Sequence, residues 1–280
     1  MDVIAIILAL TACHYLPATR DWTLDDTFRR YADWLQRRLN LADDWNDTLP
    51  VLLLLVPPVL LTGLLQLLLG SRLGGIPGLL FGVLVLLFCL PGLRADQMLS
   101  RVIKAMEQGR EDDARQLVES QLTPADDEAP PARVADRASR QALSEGAPDL
   151  LALAFWFIVV GPLGAVAWRL ADRARWLADR HEHGGQALRV WHHWLGWLPS
   201  RLLMLGYGLM GNLQIVIGTW RELGPYVSNH QLLDRAGHAA LNLAANATDP
   251  ERLAAVRQLI RRALLLLLAG LMVLKLIIPI

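Results

Sequence analysis

Two carboxylates, Glu145 and Asp149, stand one helical turn apart just before the apolar run Leu150 to Trp168. On a helix that spacing puts both on one face. A guanidinium, Arg201, follows at the end of a tryptophan- and histidine-rich segment, within Leu198-Pro199-Ser200-Arg201-Leu202. Acids at the mouth of a hydrophobic segment call for a cation, and Arg is the natural bidentate partner. Glu145, Asp149 and Arg201 are therefore expected to converge, with Asp172 as a weaker member. His192 and His193 complete the candidate ligand-binding set. Adjacent on a helix, they point about 100° apart and cannot chelate one ion together. No His-x-x-x-His or His-Glu-x-x-His spacing exists, and no Gly-x-x-x-x-Gly-Lys-Ser/Thr loop for phosphate. The acidic run Asp126-Asp127-Glu128 follows Thr123-Pro124, as the start of a helix would require. No metal site is expected, no residue is assigned a catalytic role, and no cofactor is specified.

The elements that must hold these residues are apolar. Of 280 residues, 54% are hydrophobic and 19% charged, with mean hydropathy +0.32. The apolar residues come in blocks, which predicts an all-α polytopic membrane protein. The formal net charge is zero, which gives no basic field for nucleic acid. Cys13 and Cys89 both fall in apolar segments, so neither a disulfide framework nor a cysteine metal motif is available.

In chain order, residues 1–16 read as a short first span over Val3 to Tyr15. Leu10-Thr11-Ala12-Cys13 resembles a lipoprotein cleavage box but lacks the basic segment such a signal needs. Residues 17–49 hold an amphipathic cytoplasmic helix, with Leu24, Phe28, Tyr31 and Leu35 at helical spacing. Residues 50–92 make a transmembrane hairpin from Pro50 to Leu69 and Gly78 to Leu90, the first expected to kink at Pro57-Pro58. Residues 93–149 form a cytoplasmic helical domain. It contains a helical hairpin that turns at Gln108-Gly109 and a helix from Val134 to Leu143 that delivers Glu145.

Residues 150–168 are interrupted at Gly161-Pro162-Leu163-Gly164. They are expected to be a re-entrant helical hairpin, a full span being the alternative. Residues 169–261 are read as mostly cytoplasmic and helical. Trp191, Trp194 and Trp197 there suit a membrane interface, and Arg201 to Trp220 reads as a span or a buried amphipathic helix. Residues 262–280 supply the last span, with Lys275 able to snorkel. The expected fold is thus four transmembrane helices, one re-entrant hairpin and cytoplasmic helical regions. Arg-rich polar stretches place those regions inside the cell.

Several runs of residues resemble a known family. They are Gly109-Arg110 with Asp113-Ala114-Arg115, then Ala142-Leu143-Ser144-Glu145 and Asp149, then Phe155-Trp156 and Gly161-Pro162-Leu163-Gly164-Ala165. Trp168-Arg169 and Leu198-Pro199-Ser200-Arg201-Leu202 follow. In order and spacing they resemble AmpE, an inner-membrane protein family associated with β-lactamase induction in Gram-negative bacteria. The resemblance runs along nearly the whole chain. It implies an inner-membrane regulatory protein that senses or handles a cell-wall-derived ligand. AmpE is in turn similar to the cobalamin-biosynthesis membrane enzymes that join aminopropanol phosphate to cobyric acid. This chain departs from their pattern. Gly146 stands where that pattern has asparagine, and Asp172-Arg173-Ala174-Arg175 where it has Asn-Thr-Leu-Asp. His192-His193 replace paired aspartates, and Ser120-Gln121-Leu122-Thr123 replaces Gly-Arg-Asp-Thr. A cation- and phosphate-dependent ligation needs such carboxylates, so the reading leans away from an enzyme. A plain membrane scaffold, with Glu145, Asp149 and Arg201 as a buried ion-pair network, is the third reading. The partners expected are the lipid bilayer, a small-molecule ligand and a second copy of the chain, not nucleic acid.

Overall fold

The computed structural model describes residues 5–6, 8–9, 11, 24–39, 48–72, 75–89, 94–119, 134–180, 186–224, 227–241 and 248–277. Regular structure among them is helical throughout. The first helices are α1 (Leu24–Leu39), α2 (Thr48–Arg72), α3 (Ile76–Cys89), α4 (Arg94–Glu107), α5 (Glu111–Glu119) and α6 (Val134–Gln141). A π-helical turn, Ala142–Gly146, leads into α7 (Ala147–Val160). Then come α8 (Pro162–Arg180), α9 (Gln186–Met210), α10 (Leu213–Leu223), α11 (Asn229–Ala240) and α12 (Asp249–Ile277). The end of the first apolar segment, the acidic run at 126–128 and residues 181–185 lie outside the described residues.

Among the described residues, two helical stretches are long and apolar enough to cross a membrane: Leu52–Leu69 and the 27-residue run Val134–Val160. Helix α3 is apolar but only 14 residues long. The last apolar stretch belongs to the 29-residue helix α12, which also carries Arg261, Arg262 and Lys275. The coarse expectation of an all-helical chain is met among the described residues, and two of the helices have the length and apolar character that a membrane span needs.

Two compact units emerge. One comprises residues 1–92, 152–195 and 271–280; the other, 93–151 and 196–270. In the first, α8 is the central helix and packs against α1, α2 and α3. Helix α1 buries Phe28 and Leu35 of the stripe its periodicity predicts, together with Ala32, while Tyr31 is half-buried. Tyr31 donates its hydroxyl to the Leu53 carbonyl of α2 at 2.9 Å. Helix α2 runs unbroken through Pro57 and Pro58, and Thr62 Oγ1 donates to the Pro58 carbonyl at 2.8 Å. Its outer leucines, Leu60, Leu61, Leu64 and Leu67, are exposed, as on a helix surrounded by lipid rather than water.

In the second unit α4 and α5 form the expected hairpin, and α10 packs on α11. Gly109 turns the first pair at φ +69°, a left-handed conformation that favours glycine. Asp96 accepts a two-pronged bond from Arg257, Nε to Oδ1 at 2.6 Å and Nη2 to Oδ2 at 2.9 Å. The hydrogen bonds from Arg257 hold the Asp96 carboxyl below its ordinary range. Both side chains are about one-third exposed, 32% for Arg257 and 30% for Asp96. Asp96→Asn is therefore expected to cost no more than about 1 kcal/mol in detergent unfolding. Because the folded pKa is depressed, this contribution is present above the usual carboxylate range and lost as pH falls through the folded value.

The helical run passes unbroken through Asp149, from Val134 to Val160. Pro148 has no N–H to donate, and its ring crowds the carbonyl one turn earlier. The chain widens into the π turn before it, with the Ala147 N–H reaching back to the Ala142 carbonyl. Tyr207, fully buried, donates its hydroxyl to the Leu143 carbonyl within that turn at 3.0 Å.

The break expected in the 150–168 segment is real and lies at Gly161, with φ +86°. Gln66 of α2 spans it. Its Nε2 donates to the Val160 carbonyl at 3.2 Å, and its Oε1 accepts from the Leu163 N–H at 3.1 Å. Lys275 Nζ donates to the Ile158 carbonyl at 2.9 Å. Backbone groups that a helix end leaves without intrahelical partners are thereby satisfied. A cavity of about 440 Å³ opens beside this break, lined by Gln66, Gly82, Phe157, Gly161 and Lys275 among others.

Candidate functional site

Helix α8 carries Trp168, Arg169 and Asp172 on its buried side. Arg169 and Asp172 are only 4% and 7% exposed. Their spacing of three residues makes them neighbours on the helix surface, and Arg169 Nη1 donates to Asp172 Oδ2 at 3.3 Å. His192, on α9, brings Nε2 to 3.8 Å from Asp172 Oδ1. Its ring lies against Trp168 with centroids 4.9 Å apart. Burial opposes ionisation of Asp172, but Arg169 first, then His192, Arg175 and Arg173, outweigh it. The carboxyl is held below its ordinary range and is ionised at neutral pH. The cluster is a buried carboxylate in a positive surround, suited to fixing an imidazole and to meeting a polar, charged ligand.

His193 diverges from His192, as adjacent helical positions must, and meets Trp194 edge to face at 6.1 Å. Of the sequence candidates, then, the first unit brings together Asp172 and His192, with His193 turned elsewhere. Asp172 is buried because α8 is the central helix of its unit.

In the second unit, Glu145 sits on the π turn and Asp149 in the first turn of α7, both half-buried. Arg201 is buried. Its Nη1 donates to Asn229 Oδ1 at 2.6 Å and to the Trp197 carbonyl at 3.3 Å. Its guanidinium carbon lies 4.4 Å from the centroid of the Trp197 ring. Burial lowers the Arg201 pKa from its ordinary value, yet a guanidinium stays charged. These hydrogen bonds go to an amide and a carbonyl rather than to Glu145 or Asp149, the partners expected from the sequence.

Sequence reasoning missed Arg169, Asn229, Gln66 and Lys275 as the groups that position this chemistry. Arg169 could have been found, since Arg and Asp three apart are neighbours on a helix surface. Asn229 and Gln66 meet their partners across 28 and 94 residues of chain, and no local pattern announces that.

Among the described residues the architecture is all-helical, with two helices long and apolar enough to cross a membrane and buried charge beside a broken helix. The profile of the family described as "Regulatory signalling modulator protein AmpE" matches residues 1–274. The chain belongs to the AmpE family. It is also similar to the cobalamin biosynthesis protein CobD of Chromobacterium violaceum, 32% identical over 166 residues. That match takes in 57% of this chain and 53% of the relative. A second cobalamin biosynthesis protein CobD, from Stutzerimonas stutzeri, is 33% identical over 96 residues, 33% of this chain and 32% of the relative. The chain thus spans about half the length or less of the curated relatives it matches. No solved structure matches it.

Proposed function

We propose that this chain is an inner-membrane regulatory protein that modulates β-lactamase induction by sensing or handling a cell-wall-derived ligand. The observation that carries this reading is the family match along residues 1–274. The exposed leucines of α2 support a lipid-embedded chain, and the Arg-rich polar stretches support a cytoplasmic face for them. The buried Arg169–Asp172–His192 cluster supports the capture of a polar ligand group. The proposed topology has four spans, with 150–168 dipping into the membrane and returning at Gly161. In a host with inducible β-lactamase, deleting the gene for this chain is expected to change the activity reached after exposure to a β-lactam inducer. The full chain restores it and Asp172→Asn does not. Induction unchanged by the deletion sinks the reading.

A second reading, a membrane ligase similar to the cobinamide-phosphate synthases, is favoured by the matches to the two cobalamin biosynthesis proteins. The departures at Gly146, at 172–175 and at His192-His193 weigh against it. The purified protein is expected to make no adenosylcobinamide phosphate from its precursors and ATP. Turnover that disappears in Glu145→Gln would establish the enzyme instead.

A further inference from the structure

Helices α4 and α5 each turn a stripe toward a common cleft: Arg101, Lys104 and Ala105 on one side, Asp113, Gln116 and Leu117 on the other. Residues at those spacings of three and four share a helix face. Arg110 also lines the cleft, next to the turn at Gly109. The cleft holds about 540 Å³. Ala105 is buried and Leu117 half-buried, so the floor is apolar, while the charged groups stand exposed around it.

The charges in the cleft do not balance. Three cations line it with one carboxylate, Asp113. That carboxylate is already committed, because Arg110 Nη1 donates to Asp113 Oδ2 at 2.8 Å. A second bond, from Arg110 Nη2 to Gln108 Oε1, holds the guanidinium in place. Elsewhere on the hairpin, Asp96 pairs with Arg257, and Arg115 with Glu119 at 3.4 Å. Arg101 and Lys104 make no ion pair with any described residue. Glu107, Glu111 and Asp112 are exposed and close in sequence, but none of them lines the cleft. A lone exposed cation is ordinary. Two cations one turn apart over an apolar floor, beside a third held in a fixed geometry, make a surface complementary to negative charge.

The form of the cleft selects the kind of anion. A small molecule is held in a pocket that buries most of its surface, whereas this cleft is open along its charged rim. It offers no aromatic side chain on which a base could stack, as single-stranded nucleic acid requires. Carboxylates on alternate residues of an extended chain stand about 7 Å apart. Arg101 and Lys104 are about 5–6 Å apart at Cβ, so their long side chains reach such a pair, and the methylene groups of acidic residues fit the apolar floor.

We propose that the α4–α5 cleft is a docking site for an acidic peptide segment of a partner protein, whose carboxylates accept hydrogen bonds from Arg101, Lys104 and Arg110. This goes beyond the induction reading, which names a ligand but no protein to receive the signal, and does not depend on it.

The test uses the full chain in non-ionic detergent and a fluorescein-labelled decapeptide of alternating glutamate and alanine, read by fluorescence anisotropy at low salt. Binding is expected, and it weakens as ionic strength rises. Arg101→Glu and Lys104→Glu are each expected to weaken it about tenfold, since like charges then face each other. Arg221→Glu, an exposed reversal of the same size outside the cleft, is expected to change it less than about twofold, because salt screens distant charges. The double variant Arg101→Glu with Lys104→Glu is expected to reject the glutamate peptide and take up its lysine counterpart, a gain that a misfolded cleft could not produce. Absence of binding to the native chain overturns the proposal, and so does an equal loss in Arg221→Glu. Displacement of the peptide by inorganic phosphate at equal concentration would make the cleft a small-anion site, and displacement by micelle-borne phosphatidylglycerol a headgroup site; either result overturns it.

Discussion

Arg169→Leu is expected to destabilise the protein by about 3–5 kcal/mol, the range for removing one partner of a buried ion pair. The substitution leaves the Asp172 carboxylate buried with its nearest cation gone. The remaining positive groups, His192, Arg175 and Arg173, act on it less strongly than Arg169 does. The double variant Arg169→Leu with Asp172→Leu is expected to regain most of the loss, since apolar groups of similar volume often replace a buried pair at little cost. Thermal unfolding in detergent reads both. Asp172 has a depressed folded pKa, so its contribution is complete above the ordinary carboxylate value of about 4 and is lost as pH falls through the folded value. The gap between the native protein and Asp172→Leu should therefore persist across neutral pH and narrow only in acid. A gap that instead narrows as pH rises would mean that a protonated imidazole, and not the Arg169 pair, holds the carboxylate.

The second large effect is expected at the broken helix. A methyl group added at Gly164 would lie 2.3 Å from the Trp156 carbonyl oxygen and 2.9 Å from its carbon. Those are backbone atoms, so no side-chain rotation relieves the clash. Gly164→Ala is expected to cost about 3 kcal/mol, at the upper end for overpacking. Gly218, in α10, has nothing within 4 Å of an added Cβ, and Gly218→Ala should instead stabilise by about 0.5–1 kcal/mol through helix propensity. Opposite signs at two helical glycines, measured in the same detergent, check the bend itself. Equal and small effects would show that α7 and α8 do not approach each other as closely as the structure has them.

Features encoded by local pattern were legible in the sequence. The stripe of α1, the turn at Gly109, the break at Gly161 and the divergence of His192 from His193 all follow from spacing and residue type. The continuity of the helix through Asp149 was hidden, because it depends on a π turn ahead of Pro148 that no local pattern announces. The partners of Arg201 were hidden for a different reason. A buried guanidinium satisfied by Asn229 and stacked on Trp197 has no signature beyond three residues of unremarkable type. Charge-balance reasoning favours carboxylates, but a neutral amide with good geometry meets the hydrogen-bonding demand equally well.

Gln66 closing both sides of the break at Gly161 has a consequence for biogenesis. The Val160 carbonyl and Leu163 N–H find their partner in a side chain on α2, not in their own segment. Until α2 is in place, a bent 147–180 segment would carry unpaired backbone groups in hydrocarbon, at several kcal/mol each. During N-to-C synthesis α2 emerges first, so its amide is already waiting when the later segment arrives. With the break placed in hydrocarbon, as in the proposed topology, membrane insertion is expected to be order-dependent. A circular permutant that delivers residues 147–180 before residues 48–72 should insert that segment straight and be cleared by quality-control proteolysis. Gln66→Leu in the natural order should show the same defect more mildly, since Lys275 and the Gly161 turn itself still hold part of the bend.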